Sequence, residues 1–184
     1  MILVGITGTH GAGKGTITQH LCDRHGFVCR SVSEFLAEEA TRRELYPDRG
    51  ARHMLANEYR ARGPRALMEA VFATIPEGAD RVVLEPQYTP DEVRFIREKG
   101  GVVIALDADM EMRYKRVHVR GSAKDDVSYE EFKAAEEREM EAARSGEQNL
   151  RATMQEADVL LINDAGIQEL VDSVDTFLKE KGLI

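Results

Sequence analysis

The stretch that most restricts this chain is ITGTHGAGKGT, residues 6–16, standing directly behind the apolar run Ile2-Leu3-Val4. Four glycines and Lys14 fall within residues 8–15, between a predicted strand over 2–7 and a predicted helix over 14–25. Glycine lets a backbone curl until successive N–H groups point at one spot, which makes an anion cradle. A helix starting at Lys14 adds the positive end of its dipole to that spot. Gly8, Thr9, His10, Gly11, Ala12, Gly13, Lys14, Gly15 and Thr16 are therefore read together as a phosphate loop. Lys14 supplies the point charge that reaches a nucleotide's β- and γ-phosphates. His10 contributes through its backbone more than through its imidazole.

A strand feeding a helix through such a loop commits the chain to parallel pairing, and the remaining sequence keeps that rhythm. Apolar runs at 27–29, 81–85, 102–106 and 159–162 read as further strands. Helical patterns fill 33–45, 48–75 in two pieces hinged near Gly63-Pro64, 90–99, 109–120, 128–144 and 167–181. The expected fold is a three-layer α/β/α sandwich around a five-stranded parallel sheet, covered on both faces. Right-handed crossovers then collect ligands outside the carboxyl ends of the strands. At 184 residues without repeats or linkers, the sequence reads as one domain, 1–184.

Charge narrows the partners. With 25 basic and 33 acidic residues the net charge is −8, which argues against nucleic acid, since a phosphate backbone binds through clustered Lys and Arg. No apolar run reaches membrane-spanning length. Cys22 and Cys29 are too few for a disulfide framework and lack metal-ligand spacing, so a reducing, cytoplasmic setting is expected.

One detail sharpens the loop. The hydroxyl that usually follows the lysine is displaced by Gly15 and arrives at Thr16. This "GKGT" form resembles the adenylate-kinase branch of P-loop proteins, the nucleoside monophosphate kinases. The resemblance implies ATP and Mg²⁺ as cofactors, with the metal held mainly by phosphates and water and no direct protein ligand named. In that family the third strand ends in an acidic residue followed by a loop at the acceptor phosphate. Here "VVLEPQYTPDEV" occupies that place, with Glu85 and Gln87 on the acceptor side. A carboxylate there orders metal-bound water or takes the acceptor's proton, unless it caps the next helix, a task for which Thr89 is also placed. Where the family has an arginine, this chain has Tyr88.

Two arginine-bearing segments complete the resemblance. Arg116 and Arg120 lie one helical turn apart before a polar loop and look like the root of a nucleotide kinase lid over about 116–138, with Arg138 reaching in from the far side. Arginine suits this role as a planar fork that binds phosphate and stacks on rings. The lid carries no Cys cluster, which excludes a zinc-bearing form, and Arg113 and Arg144 read as solvated charges. Residues 33–75 form the acceptor-binding insert, where Arg49 and Arg43 are the leading cations and Ser33 serves as an N-cap or a ligand. Arg94 competes with Arg49. The insert, "EEFKAAEERE", "QNL" and "ADVLLIND" are also similar to a microbial group of P-loop kinases related to adenylate, cytidylate and dephospho-coenzyme A kinases.

The resulting expectation is an ATP-dependent phosphotransferase acting on small nucleotides, most simply a nucleoside monophosphate kinase. A dephospho-coenzyme A kinase shares the loop. A P-loop ATPase or switch with a macromolecular partner is the third reading, opposed by the pair Arg116 and Arg120, which suits a lid.

Overall fold

The computed structural model describes residues 1–120, 127–140 and 148–184, with the side chains of Arg49 and Arg120 outside the description. The order is β1 (Ile2–Gly8), α1 (Lys14–His25), β2 (Val28–Ser31), α2 (Val32–Arg42), α3 (Arg49–Arg62), α4 (Ala66–Phe72) and β3 (Arg81–Glu85). It continues with α5 (Pro90–Glu98), β4 (Val102–Asp107), α6 (Met110–Arg120), α7 (Tyr129–Met140), α8 (Leu150–Gln155), β5 (Val159–Ile162) and α9 (Ile167–Glu180). The five strands form one parallel sheet ordered β2-β3-β1-β4-β5. The phosphate loop thus leaves the central strand.

Strand periodicity divides the core. Leu3, Val82, Leu84 and Val103 face one side, against α5 and the insert helices α2–α4. Val4, Val83, Ile104 and Leu106 face the other, against α1 and α9. Successive strand side chains point to opposite faces, so the inner strands β1, β3 and β4 serve both layers. Along α2, Val32, Leu36 and Ala40 recur at four-residue spacing and seat the insert on the sheet. Thr89 starts α5 with a capping box: its hydroxyl accepts from Glu92 N–H while the Glu92 carboxylate accepts from Thr89 N–H.

Four expectations are corrected by the fold. Ser31, not Ser33, caps α2 by accepting from Ser33 N–H, so Ser33 becomes the second helical residue and stands exposed. The sheet is not covered throughout, because Leu160 and Ile162 on the edge strand β5 are 51% and 55% exposed. The short helix α8, opened by Asn149 as N-cap, lacks the length for a periodic signal and was missing from the predicted elements. Finally, Cys22 and Cys29 are joined as a disulfide between α1 and β2, with their Cα atoms 6.3 Å apart. Gly26, at φ +68°, turns the chain sharply enough to bring them together. Among the described residues no helix is long and apolar enough to cross a membrane.

Candidate active site

The loop after β1 is held by the strand beside it. Thr9 N–H bonds Leu106 C=O at 3.1 Å, and Thr9 Oγ1 donates to Asp107 Oδ1 at 2.6 Å. The left-handed turn at Gly13 (φ +107°) launches α1, which carries no side-chain cap at its N-terminus. Lys14 folds back over the loop, and its ammonium donates to Gly8 C=O at 2.7 Å and Thr9 C=O at 2.8 Å. Gly15 and Thr16 stand exposed at the mouth. A Cβ at Gly15 would meet nothing within 4 Å, so open space lies over the helix end. Uncapped N–H groups, a lysine and that space together make a cradle suited to anionic phosphate.

Behind the loop stands Arg113, which is only 3% exposed and not a solvated charge. Its Nε donates to Ala108 C=O at 2.7 Å, and Nη1 donates to His10 C=O at 3.3 Å. Both of its Nη groups also bind the buried Glu136 carboxylate of α7. One guanidinium therefore ties the loop to α6 and α7. The His10 ring approaches Phe132 of α7 with centroids 6.0 Å apart. Sequence reasoning missed Arg113 because its spacing matches that of any surface arginine.

Of the lid candidates, Arg116 reaches the loop's surroundings. Its Nη2 donates to Asn163 C=O at 2.8 Å, while Asn163 Nδ2 donates to Ala12 C=O at 2.9 Å. Arg138 is exposed, and its Nε turns back to Ala134 C=O of its own helix at 3.0 Å. The backbone of Arg120 closes α6, but its side chain lies outside the described residues, as does Arg144.

On the other side of the cleft, β3 delivers Glu85 opposite Ser31 in register. Burial pushes the Glu85 carboxyl above its ordinary value, opposed by the nearby Lys14 ammonium and reinforced by Glu34. Gln87 is fully buried: Nε2 donates to Leu84 C=O at 2.8 Å, and its backbone oxygen accepts from Thr7 Oγ1 at 2.6 Å. Arg43 is held inside the insert by Glu39 and Glu58, each at 2.7 Å. Arg94 turns away toward Asp91 and Glu156. The side chain of Arg49 lies outside the described residues.

The insert's cation at this end of the sheet is Arg60, which the sequence reading passed over among seven neighbouring arginines. It is 8% exposed, with Nε 3.8 Å from the buried Glu92 carboxylate. Arg60 Nε and Nη1 make no hydrogen bond, and neither do Glu92 Oε1 nor Gln87 Oε1. Arg116 Nη1 and Asn163 Oδ1 are likewise unmatched beside the loop, and Thr18 Oγ1 lies next to Glu85, where it favours the carboxylate. Each such buried group carries a desolvation cost of about 1–3 kcal/mol. Among the described residues, all the unmatched buried side-chain atoms lie at the phosphate loop or at the end of β3.

A family model described as AAA domain matches residues 4–144. The chain is similar to a UPF0200 protein of Pyrobaculum aerophilum, 28% identical over 181 residues and covering 97% of both. A UPF0200 protein of Thermococcus gammatolerans is 27% identical, covering 97% of this chain and 95% of that one. Among solved structures, shikimate kinase from Bacteroides thetaiotaomicron has a TM-score of 0.61 at 16% identity, covering 99% of both chains. That last likeness is one of fold: a five-stranded parallel sheet with flanking helices.

Proposed function

The chain belongs to the AAA domain family, and from that premise we propose that it is an ATP-dependent phosphotransferase whose acceptor is a small anionic molecule, a nucleoside monophosphate by preference. The observation that carries this reading is the phosphate-loop cradle, with buried side-chain polar atoms that make no hydrogen bond beside it and among the residues after β3. Most buried polar groups in a protein are hydrogen-bonded, and those that are not call for an explanation such as a bound ligand. Among them are N–H groups of two arginines, Arg116 by the loop and Arg60, 3.8 Å from Glu92, and a guanidinium with spare N–H groups suits an anion.

In this reading the loop backbone and the α1 N-terminus hold the β- and γ-phosphates of ATP. Lys14 leaves the Gly8 and Thr9 carbonyls to neutralise the transferring group, and Arg116 closes from the lid root. Arg60 takes the place that Tyr88 leaves without a cation and holds the acceptor's charge. Ser33 and Gln87 stay acceptor-side residues in this reading, whereas Arg43 is occupied by Glu39 and Glu58 and Arg138 by its own helix. Arg49 and Arg120 stay as candidates from the sequence for the acceptor and the lid. Thr16 and Glu85 are the residues that would hold magnesium's water shell, and the ion would supply charge neutralisation at the phosphates. Catalysis is then positioning plus electrostatic stabilisation, with water excluded from the cleft. A second reading, transfer to a hydroxyl as in a dephospho-coenzyme A kinase, is favoured by the buried Glu85 carboxyl as a base.

The test is to incubate the full chain with ATP–Mg²⁺ and a panel of nucleoside monophosphates plus dephospho-coenzyme A, following ADP. One acceptor should stimulate turnover, and Lys14→Ala should lower it by about 100-fold or more. Arg60→Lys, which keeps the charge but loses the fork, should raise the acceptor KM while sparing the ATP KM. ADP release that no acceptor stimulates would turn the assignment to an ATPase.

A further inference from the structure

At the end of α1 away from the loop, three metal-type ligands converge on one point. His20 Nε2 lies 2.8 Å from Asp175 Oδ1, and His25 Nε2 lies 3.1 Å from the same oxygen. All three ligand atoms fall within 4.8 Å of one another. The side chains are 16%, 19% and 20% exposed, shielded but reachable by an ion. The two rings meet edge to face with centroids 5.1 Å apart.

We propose that His20, His25 and Asp175 form a site for a divalent transition ion of the zinc class, separate from the nucleotide cleft. Two imidazoles and a carboxylate match the ligand preference of such ions, whereas magnesium favours all-oxygen surroundings. Ligands about 2.0–2.2 Å from a tetrahedral ion sit roughly 3.3 Å apart. The 2.8 and 3.1 Å separations from the carboxylate need a few tenths of an ångström of widening, and the two imidazole nitrogens, within 4.8 Å of each other, close onto the ion by side-chain rotation. Both Nε2 atoms aim at a single carboxylate oxygen instead of one at each, which leaves a shared focus for an ion. The ligands ride on α1 and α9, two helices already joined through the core, so little must be ordered on binding. Water completes the shell.

The role is structural. Lys14 lies six residues before His20 and eleven before His25 on the same helix, about 9 and 16 Å along its axis, too far for an ion held by both to touch a bound phosphate. The ion clips the C-terminal end of α1 to α9, stiffening the helix whose other end forms the phosphate cradle. His20 and His25 had no role in the sequence reading because their partner is 150 or more residues away.

The experiment uses the full chain, stripped with EDTA and free of nucleotide. Zn²⁺ is titrated by calorimetry and Co²⁺ by visible absorption, with thermal unfolding followed in parallel. Stoichiometric binding, a tetrahedral-type Co²⁺ spectrum and a rise in Tm on Zn²⁺ addition are expected. His20→Ala and His25→Ala should each lose stoichiometric binding. Asp175→Asn keeps a hydrogen-bond acceptor for both rings but is a poor metal ligand. It should fold, bind Zn²⁺ far more weakly and lose the metal-dependent rise in Tm. Lys14→Ala should bind Zn²⁺ as the unaltered chain does, which separates this site from the cleft whatever the outcome of the kinase assay. No stoichiometric binding to the unaltered chain, or binding that Asp175→Asn leaves intact, would overturn the assignment and leave a hydrogen-bonded cluster.

Discussion

Replacing Arg113 by methionine should be among the most damaging single changes outside the cleft. The substitution keeps much of the side-chain volume but removes the partner of Glu136, which is 8% exposed, and the donors to Ala108 and His10 carbonyls. A buried carboxylate left without its cation costs about 3–5 kcal/mol. For a chain of this size each kcal/mol lowers Tm by roughly 2–4 °C, so a drop of about 6–20 °C is expected. Glu136→Gln is milder, because the amide keeps the shape and Arg113 retains two carbonyls and Asp107 at 3.5 Å. Its cost should be about 1.5–3 kcal/mol, the range for a hydrogen bond to a charged group. The double variant Arg113→Met/Glu136→Leu removes both charges and should recover much of the single-variant loss, since an apolar pair of similar volume often replaces an ion pair at little cost. Urea and thermal unfolding of the unaltered chain, Arg113→Met, Glu136→Leu and the double variant close the cycle and give the coupling energy directly. ATP affinity supplies a second reading: Arg113→Met frees the His10 carbonyl and should weaken ATP binding, while Glu136→Gln should leave it nearly unchanged. A loss below about 1 kcal/mol in Arg113→Met, or strict additivity in the double variant, would refute the argument that this pair is buried and coupled.

Gly13→Ala and Gly15→Ala should separate strain from ligand contact. A Cβ at Gly13 sits at φ +107° and 2.9 Å from Asn163 Nδ2, so a loss of about 1–3 kcal/mol in unfolding free energy is expected. At Gly15 a Cβ meets nothing within 4 Å, so Tm should hold while ATP affinity falls; equal Tm losses would place the cradle elsewhere. Glu85 has its carboxyl raised above 4.5 by burial, so kcat/KM should fall as pH drops through a value above 4.5, and Glu85→Gln should abolish that limb. The linkage sign runs the other way for stability. The folded state holds this proton more tightly than the unfolded chain, so Glu85's contribution is present below 4.5 and is lost as pH rises through the folded value. Unfolding at neutral pH should therefore find Glu85→Gln at least as stable as the unaltered chain.

The sequence by itself determined what depends on near neighbours along the chain. The loop at 8–16, the capping box begun at Thr89, the break at Gly63-Pro64 and the strands over 81–85 and 159–162 all arise from backbone geometry, capping and periodicity within a few residues. Those local signals also carried the parallel sheet, because strand–loop–helix units leave few ways to close. What tertiary structure alone decided was which charge meets which. Arg43, Arg60, Arg94 and Arg113 look alike in the sequence, yet one is held within the insert, one pairs loosely with buried Glu92, one faces α8 and one braces the loop. The energy of a guanidinium depends on burial and on partners up to 103 residues away, which no local pattern encodes. The same reason hid the meeting of His20 and His25 with Asp175, whereas Cys22 and Cys29 are only seven residues apart and escaped the sequence reading because two cysteines are too few for a disulfide framework. Side-chain chemistry was legible, but its pairing waited for the fold to set distance and solvent exposure.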